Sequence, residues 1–252
     1  MIQADCVKVL AAVLDVGEMM LTSGAEVNRV EDTIHRMMQA YGCSRVDVFT
    51  ITSSIVVTVQ DSEGKIVTQT RRIMNYETDM YKIERCNALS RQICKEAMPE
   101  EKLREAVEQI KQEKSYPWWV KFLAYSVISA SFSIFFGGSV GDGVAAWLCG
   151  WLLYGAVELC SRMKLQRIIM TIVCSVIVGL GAVFLTNIGL GKSVDKIIIG
   201  NIMLLIPGIA LTTSLRDMIS GDTISGLLGL CEALLRALAI AGGFALVLWQ
   251  FQ

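Results

Sequence analysis

A basic excess is missing from this chain of 252 residues, in which 23 Lys and Arg face 24 Asp and Glu for a net charge of −1. A surface that neutralises phosphates needs surplus cations, and no basic patch with interleaved aromatics occurs, which excludes nucleic acid as a partner. Histidine is nearly absent: His35 is the only one, and no serine or cysteine stands at a spacing that suggests a partner. A hydrolytic triad therefore has no support, and His35 reads as a packing or helix-surface residue. The eight cysteines (Cys6, Cys43, Cys86, Cys94, Cys149, Cys160, Cys174, Cys231) include no C-x-x-C pair. That fits reduced thiols rather than a disulfide or zinc framework, so neither a metal nor a cofactor is expected. Met1 to Asp15 lack the apolar core and small-residue cleavage site of a signal peptide, because Asp5, Lys8 and Asp15 interrupt them. The N-terminus is expected to stay in the cytoplasm.

Charge is also missing from long stretches. None occurs from Phe122 to Val140 or between Arg167 and Lys192, although the part up to Lys121 is crowded with it. With 53% hydrophobic and 19% charged residues and a mean hydropathy of +0.51, the chain is more apolar than a soluble domain. One half suits water and the other lipid. The expectation is a membrane protein with a cytoplasmic α+β domain over residues 1–115, followed over 116–252 by a bundle of about five transmembrane helices.

In the first part, helical spacing of apolar residues runs from Cys6 to Leu21 and from Glu26 to Tyr41, the latter ending at Gly42. Strand-like runs follow at Val46–Thr52, Ser54–Gln60 and Ile66–Thr70, with a turn at Asp61-Ser62-Glu63-Gly64, which predicts a small antiparallel meander. Asn75 is placed to cap a helix over Tyr76–Ala97, and Pro99 sits at the first turn of another reaching Lys114. The aromatic junction Tyr116-Pro117-Trp118-Trp119 marks a water–lipid boundary. Spans are predicted near Val120–Phe136, Val144–Leu159, Ile168–Leu185, Ile197–Ser214 and Gly226–Trp249. Arg162, Lys164 and Arg167 fall between the second and third, and Arg216 between the fourth and fifth, which predicts cytoplasmic loops there and Gln252 outside.

Several residues invite chemistry. Thr186–Ser193 reads T-N-I-G-L-G-K-S, one glycine short of a phosphate-cradling loop, and it leaves a span rather than a strand, so nucleotide binding is rejected. Glu232 and Arg236 lie one turn apart in the last span, with the glutamate on the N-terminal side, the favourable order for an ion pair. An ion near the bilayer centre costs roughly 2.5–3.5 kcal/mol on insertion scales. Two readings stand: a buried pair that holds helices together, or a substrate or proton site. Pro207-Gly208 near the middle of the fourth span predicts a kink or an unwound segment, either a packing feature or a ligand site. Asn201 and Glu158 are further polar positions that can face the same cavity. Gly141-Asp142 and Gly221-Asp222 precede the second and fifth spans from opposite sides, a pattern that would suit an inverted repeat but that a common turn pair also explains.

Pro207-Gly208-Ile209-Ala210-Leu211, Arg216-Asp217, Ser220-Gly221-Asp222, Ser225-Gly226 and Glu232-Ala233 together resemble the signature of the threonine/serine exporter family. Ser23-Gly24-Ala25-Glu26-Val27-Asn28-Arg29-Val30-Glu31 resembles that family's cytoplasmic-domain hallmark, and Phe136-Gly137-Gly138 follows the first span as expected. The resemblance implies secondary export of a small polar metabolite, threonine and serine in some members and dicarboxylates such as succinate in a split, two-subunit type. With about half the spans of the single-chain members, this chain resembles the larger subunit of the split type. That implies a second small multi-span subunit, a homo-oligomer, or both. Arg236 stands outside the signature.

The residues expected to serve substrate or coupling are Glu232, Pro207, Gly208, Arg216, Asp217, Asp222, Ser225, Gly226, Arg236 and Asn201. Gly24, Glu26, Arg29 and Glu31 form the soluble motif. Gly221, Ser225 and Gly226 permit a turn and a helix start whose free N–H groups attract a carboxylate. Arg216 and Asp217 can pair at the cytoplasmic mouth, whereas Arg29 and Glu31 read as fastening their helix to its neighbours. The expectation is a non-enzymatic, multi-pass transporter of the cytoplasmic membrane. The alternative is a membrane-tethered sensor whose soluble domain binds the metabolite.

Overall fold

The computed structural model describes residues 6–113 and 116–251. The expected domain boundary at residue 115, the helix end at Lys114, and the termini Met1 and Gln252 lie outside the described residues. The chain divides into two compact units. One comprises the chain up to Glu113 together with Gly208–Cys231, and the other Lys114–Pro207 with Glu232–Gln252.

The first unit is built around helix α1 (Cys6–Thr22), which is wrapped by α2 (Val27–Ala40), a three-stranded sheet, α3 (Met80–Lys95) and α4 (Glu100–Gln112). Val9, Leu10, Val13, Leu14 and Val16 of α1 are fully buried, so this helix is apolar on most of its circumference rather than along one stripe. Gly17 lets it close on its neighbours, since a Cβ there would stand 2.6 Å from Ile34 Cδ1. Helix α2 buries Val27, Val30, Ile34, Met37 and Met38 on one face, the 3.6-residue period expected of it. Strands β1 (Arg45–Ile51), β2 (Ser54–Gln60) and β3 (Ile66–Arg72) pair antiparallel in that order. In β2, Ile55, Val57 and Val59 point to the core while alternate residues face out. Asp61 Oδ1 accepts the N–H groups of Glu63 and Lys65, and Gly64 takes φ +86°, which shapes the β2–β3 turn.

Two expectations are corrected here. Helix α3 starts at Met80 and not at Tyr76, with Asp79 rather than Asn75 as its cap, the carboxylate accepting from Lys82 N–H at 3.1 Å. The preceding residues are held outside the helix because Glu77 and Asp79 donate their N–H groups to Thr22 and Ser23 carbonyls at the end of α1. The cysteines are not all reduced: Cys6 and Cys43 form a disulfide, Cα atoms 6.2 Å apart. The pair is 37 residues apart in sequence. It meets because Gly42, at φ +84°, turns the chain back after α2. The other six cysteines are free.

The second unit contains α5 (Trp118–Phe135), α6 (Val140–Arg162), α7 (Arg167–Asn187), α8 (Val194–Leu205) and the C-terminal part of α10 (Thr223–Phe251). Four helices, α5, α6, α7 and α10, are each long and apolar enough to cross a membrane, and α8 with α9 (Gly208–Ser220) passes the same test as a broken pair. The protein is therefore mostly helical, with four candidate spans among the described residues, or five if the pair is one. Lipid offers no hydrophobic drive for helices to associate, so close approach through small residues matters. Ser126, Ser129 and Ser133 form the buried face of α5. Opposite them, a Cβ on Gly150 of α6 would stand 2.9 Å from the Tyr125 carbonyl, and one on Gly200 of α8 would stand 3.0 Å from Ser133 Cβ.

Gly150→Val should lower the stability of the detergent-solubilised protein by about 1–3 kcal/mol through overpacking against rigid backbone. Thermal melts would show this as a clear fall in the transition temperature, and Gly155→Ala, where a Cβ meets nothing within 4 Å, serves as the control.

Candidate functional site

Helix α2 opens without a cap of its own. Gly24 adopts φ +94°, and the N–H groups of Ser23, Gly24 and Ala25 fold back onto carbonyls of Met19, Leu21 and Met20 to close α1. Glu26 is then extended at the N-cap position, and its side chain makes no capping bond. The cap arrives from α9 instead: Val27 N–H donates to Asp217 Oδ1 at 3.1 Å, across 190 residues of sequence. Beside it the Arg216 guanidinium pairs with the Glu26 carboxylate. The unmet N–H group and the positive end of the helix dipole favour the Asp217 carboxylate there, while its burial opposes them. The Ser23–Glu31 segment and the Arg216-Asp217 pair thus meet in one unit.

One turn further along α2, Glu31 accepts from Thr50 N–H of β1 at 2.6 Å. Burial raises its carboxyl above the ordinary value; the Thr50 N–H opposes that, and the charge of Asp222 adds to it. Arg29 is exposed. Asn28, Glu31, Asp32 and His35 line an open, acid-rich groove of about 400 Å³ with Val46, Asp47 and Val48 of β1.

The α9–α10 turn is compact. Gly221 takes φ +103°, and the Asp222 N–H returns to the Asp217 carbonyl. A Cβ on Gly226 would stand 2.6 Å from the Ser214 carbonyl and 2.8 Å from Met218 N, so this glycine lets α10 lie against the backbone of α9. Gly226 N–H already donates to Asp222 O, which differs from the expectation of a free donor there. Ser225 is buried. Upstream, α8 ends at Leu205 and α9 begins at Gly208, with Ile206 extended (φ −61°, ψ 127°). Pro207 lacks an N–H and clashes with the preceding turn, which accounts for the break.

In the second unit Asn201 is fully buried and satisfied, its amide donating to the Ile197 and Ala146 carbonyls while its oxygen accepts from Ser129 Oγ at 3.0 Å. Glu158 pairs with Arg162 at 3.1 Å, both side chains at least half exposed, so it does not join Asn201 in a common cavity. Asp142 sits in the first turn of α6. It accepts from Ser139 in a capping box and also from Lys192 and Ser193 N–H groups at 2.6 and 2.9 Å. Asp222 instead immediately precedes α10. The two Gly-Asp pairs therefore occupy different helix positions.

Glu232 pairs with Arg236, as its spacing predicts, and the same Oε1 lies 3.7 Å from Nη1 of Arg167. Arg167 is the first residue of α7, which puts the cluster level with the N-terminal end of that helix. Helix α10 has 29 residues, about 43 Å at 1.5 Å per residue against a hydrocarbon core of about 30 Å, so it is longer than an upright span needs. Arg167 reads in the sequence as a loop charge. Its position at the first turn of a span was the signal that it can reach a neighbour.

Residues 11–250 match the family model described as "Putative threonine/serine exporter". A threonine/serine exporter of Corynebacterium glutamicum is 22% identical over 238 residues, covering 92% of this chain and 49% of the relative. A protein of Mycobacterium tuberculosis (strain ATCC 25618 / H37Rv), named a probable threonine/serine exporter, is 23% identical over 248 residues, covering 96% and 46%. The chain spans about half the length of these curated relatives. No solved structure matches it.

Asp217→Ala should cost about 1–2 kcal/mol, the usual value of a helix cap, whereas a double-mutant cycle on Glu26 and Arg216 should give a coupling below about 1 kcal/mol because the arginine is 67% exposed. Chemical or thermal melts would measure both. Glu31 holds its proton more tightly folded than unfolded. Its contribution is therefore favourable below the unfolded value near 4.5 and is lost as pH rises through the higher folded value. Glu31→Gln keeps the acceptor for Thr50 and should flatten that decline in melts recorded from acid to neutral pH.

Proposed function

Because this chain belongs to the threonine/serine exporter family, we propose that it is a secondary transporter subunit. It exports a small polar metabolite, threonine or serine or a dicarboxylate such as succinate, across the cytoplasmic membrane. The observation that carries the reading is the apolar helix pair α8–α9 broken at Ile206-Pro207, whose α9 half brings Asp217 onto the N-terminus of α2. Broken helices are the usual binding and gating elements of secondary transporters. Pro207 and Gly208 serve as the hinge. Arg216, Asp217 and Asp222, with Ser225 and Gly226 behind them, form the element that moves with it, tied to the soluble domain through Glu26. Glu232 is the substrate- or proton-coupled group, with Arg236 as its partner. Asn201 supports the fixed part of the bundle.

Lys and Arg in the loops between α6 and α7 and after α9 favour a cytoplasmic position for those loops and for the N-terminal α+β domain, with the end of α10 outside. In this reading a second small multi-span subunit or a homo-oligomer completes the pathway. A second reading draws on the groove at Asn28, Glu31, Asp32 and His35: a membrane-tethered sensor whose soluble domain binds the metabolite.

Vesicles carrying the full chain with its partner subunit should accumulate labelled serine, threonine or succinate by counterflow. Glu232→Gln should reduce the rate by about 10-fold or more, as expected for loss of a group required in the transport step. No accumulation of any of the three, together with tight metabolite binding lost on Asp32→Asn, would decide for the sensor.

A further inference from the structure

We infer that the Nε–Nη2 edge of Arg236 is the seat for the carboxylate of a small solute, and that Glu232 fills half of it while the seat is otherwise empty. The inference rests on the transporter reading above and adds the group that recognises the cargo. A guanidinium offers Nε–H and one Nη–H side by side, a fork that matches the two oxygens of one carboxylate. Glu232 Oε1 reaches Nη2 alone, and the buried Arg236 Nε has no hydrogen-bond partner among the described residues. The geometry explains why. That oxygen also lies 3.7 Å from Nη1 of Arg167, so it sits between two guanidiniums on two helices, Arg236 of α10 and Arg167 of α7, rather than along one fork.

A buried donor left unmet is destabilising. A solute carboxylate, free of the α10 backbone, can span Nε and Nη2 together and displace Glu232. The seat lies level with the first turn of α7, where Arg167 stands, and the Glu232 side chain that half fills it is 49% exposed. Arg167 is a positioning residue that draws Glu232 aside. The phosphate of an anionic lipid headgroup shares the oxyanion chemistry and is the competing occupant.

The test uses the full-length protein in phosphatidylcholine nanodiscs, titrated calorimetrically with L-serine, succinate and the amides L-serinamide and succinamide. Both acids should bind, and the amides about 10-fold or more weaker. Arg236→Lys keeps the charge but loses the fork, and should weaken the acids by about 10-fold. Glu232→Gln removes the competitor and should tighten them severalfold, an effect opposite to what misfolding or a merely structural ion pair produces. Equal binding of acid and amide, no binding of either acid, unchanged affinity in Arg236→Lys, or weakened affinity in Glu232→Gln each overturns the inference. So does stabilisation by phosphatidylglycerol that Arg236→Lys abolishes while the acids do not bind. Acid-selective binding without vesicle transport supports the seat and sinks the transport reading; transport with affinity unchanged in Arg236→Lys does the reverse.

Discussion

The first N–H group of any α-helix has no carbonyl behind it to accept its hydrogen, and in α2 the residue placed to help, Glu26, turns its carboxylate to Arg216 instead. Asp217 fills the vacancy. Much of the first unit follows from this one hydrogen bond. It requires α9 to present Asp217 inward, and that in turn places Arg216 beside Glu26 and brings Asp222 near enough to Glu31 to raise its proton affinity. The turn that follows needs Gly221 in the left-handed region, and the packing of α10 on α9 needs Gly226 without a side chain. Hallmark residues that look like a ligand set in sequence are here largely occupied with one another.

The second unit treats its polar groups in two ways. Asn201 and Asp142 are saturated by internal partners, the first among α5, α6 and α8, the second between a capping box and the amides of Lys192 and Ser193. Such groups rigidify the bundle, since an unmet polar atom in a low-dielectric interior is costly. Arg236 differs: among the described residues its Nε has no acceptor, and its partner carboxylate also lies near Arg167. Saturated groups hold the scaffold, and an unsaturated donor is the kind of group that a ligand can engage.

Local physics made most of the elements legible in the sequence. Apolar residues at a 3.6-residue period on α2, alternation in β2, charge-free runs of span length, and a proline inside the fourth span each act over a few neighbouring residues, so pattern alone is informative. Pro207 breaks its helix because it has no N–H to give, whatever surrounds it. The i, i+4 pairing of Glu232 with Arg236 is equally a property of one helix. Asn75 failed as a cap for a non-local reason: its segment is pinned to the carbonyls at the end of α1, which a composition rule cannot register.

Membership in a membrane family, the helical spans and their break, and the identity of the hallmark residues were thus determined by the sequence by itself. Only the tertiary structure decided what those residues touch. The Asp217 cap crosses 190 positions, the Cys6–Cys43 bridge 37, and Arg167 approaches Glu232 from another helix. Periodicity reports which face of an element is apolar; it does not report which distant element supplies the acceptor for a given donor. That choice follows from the packing of helices against one another, where a hydrogen bond is worth making only between groups that burial has already brought together.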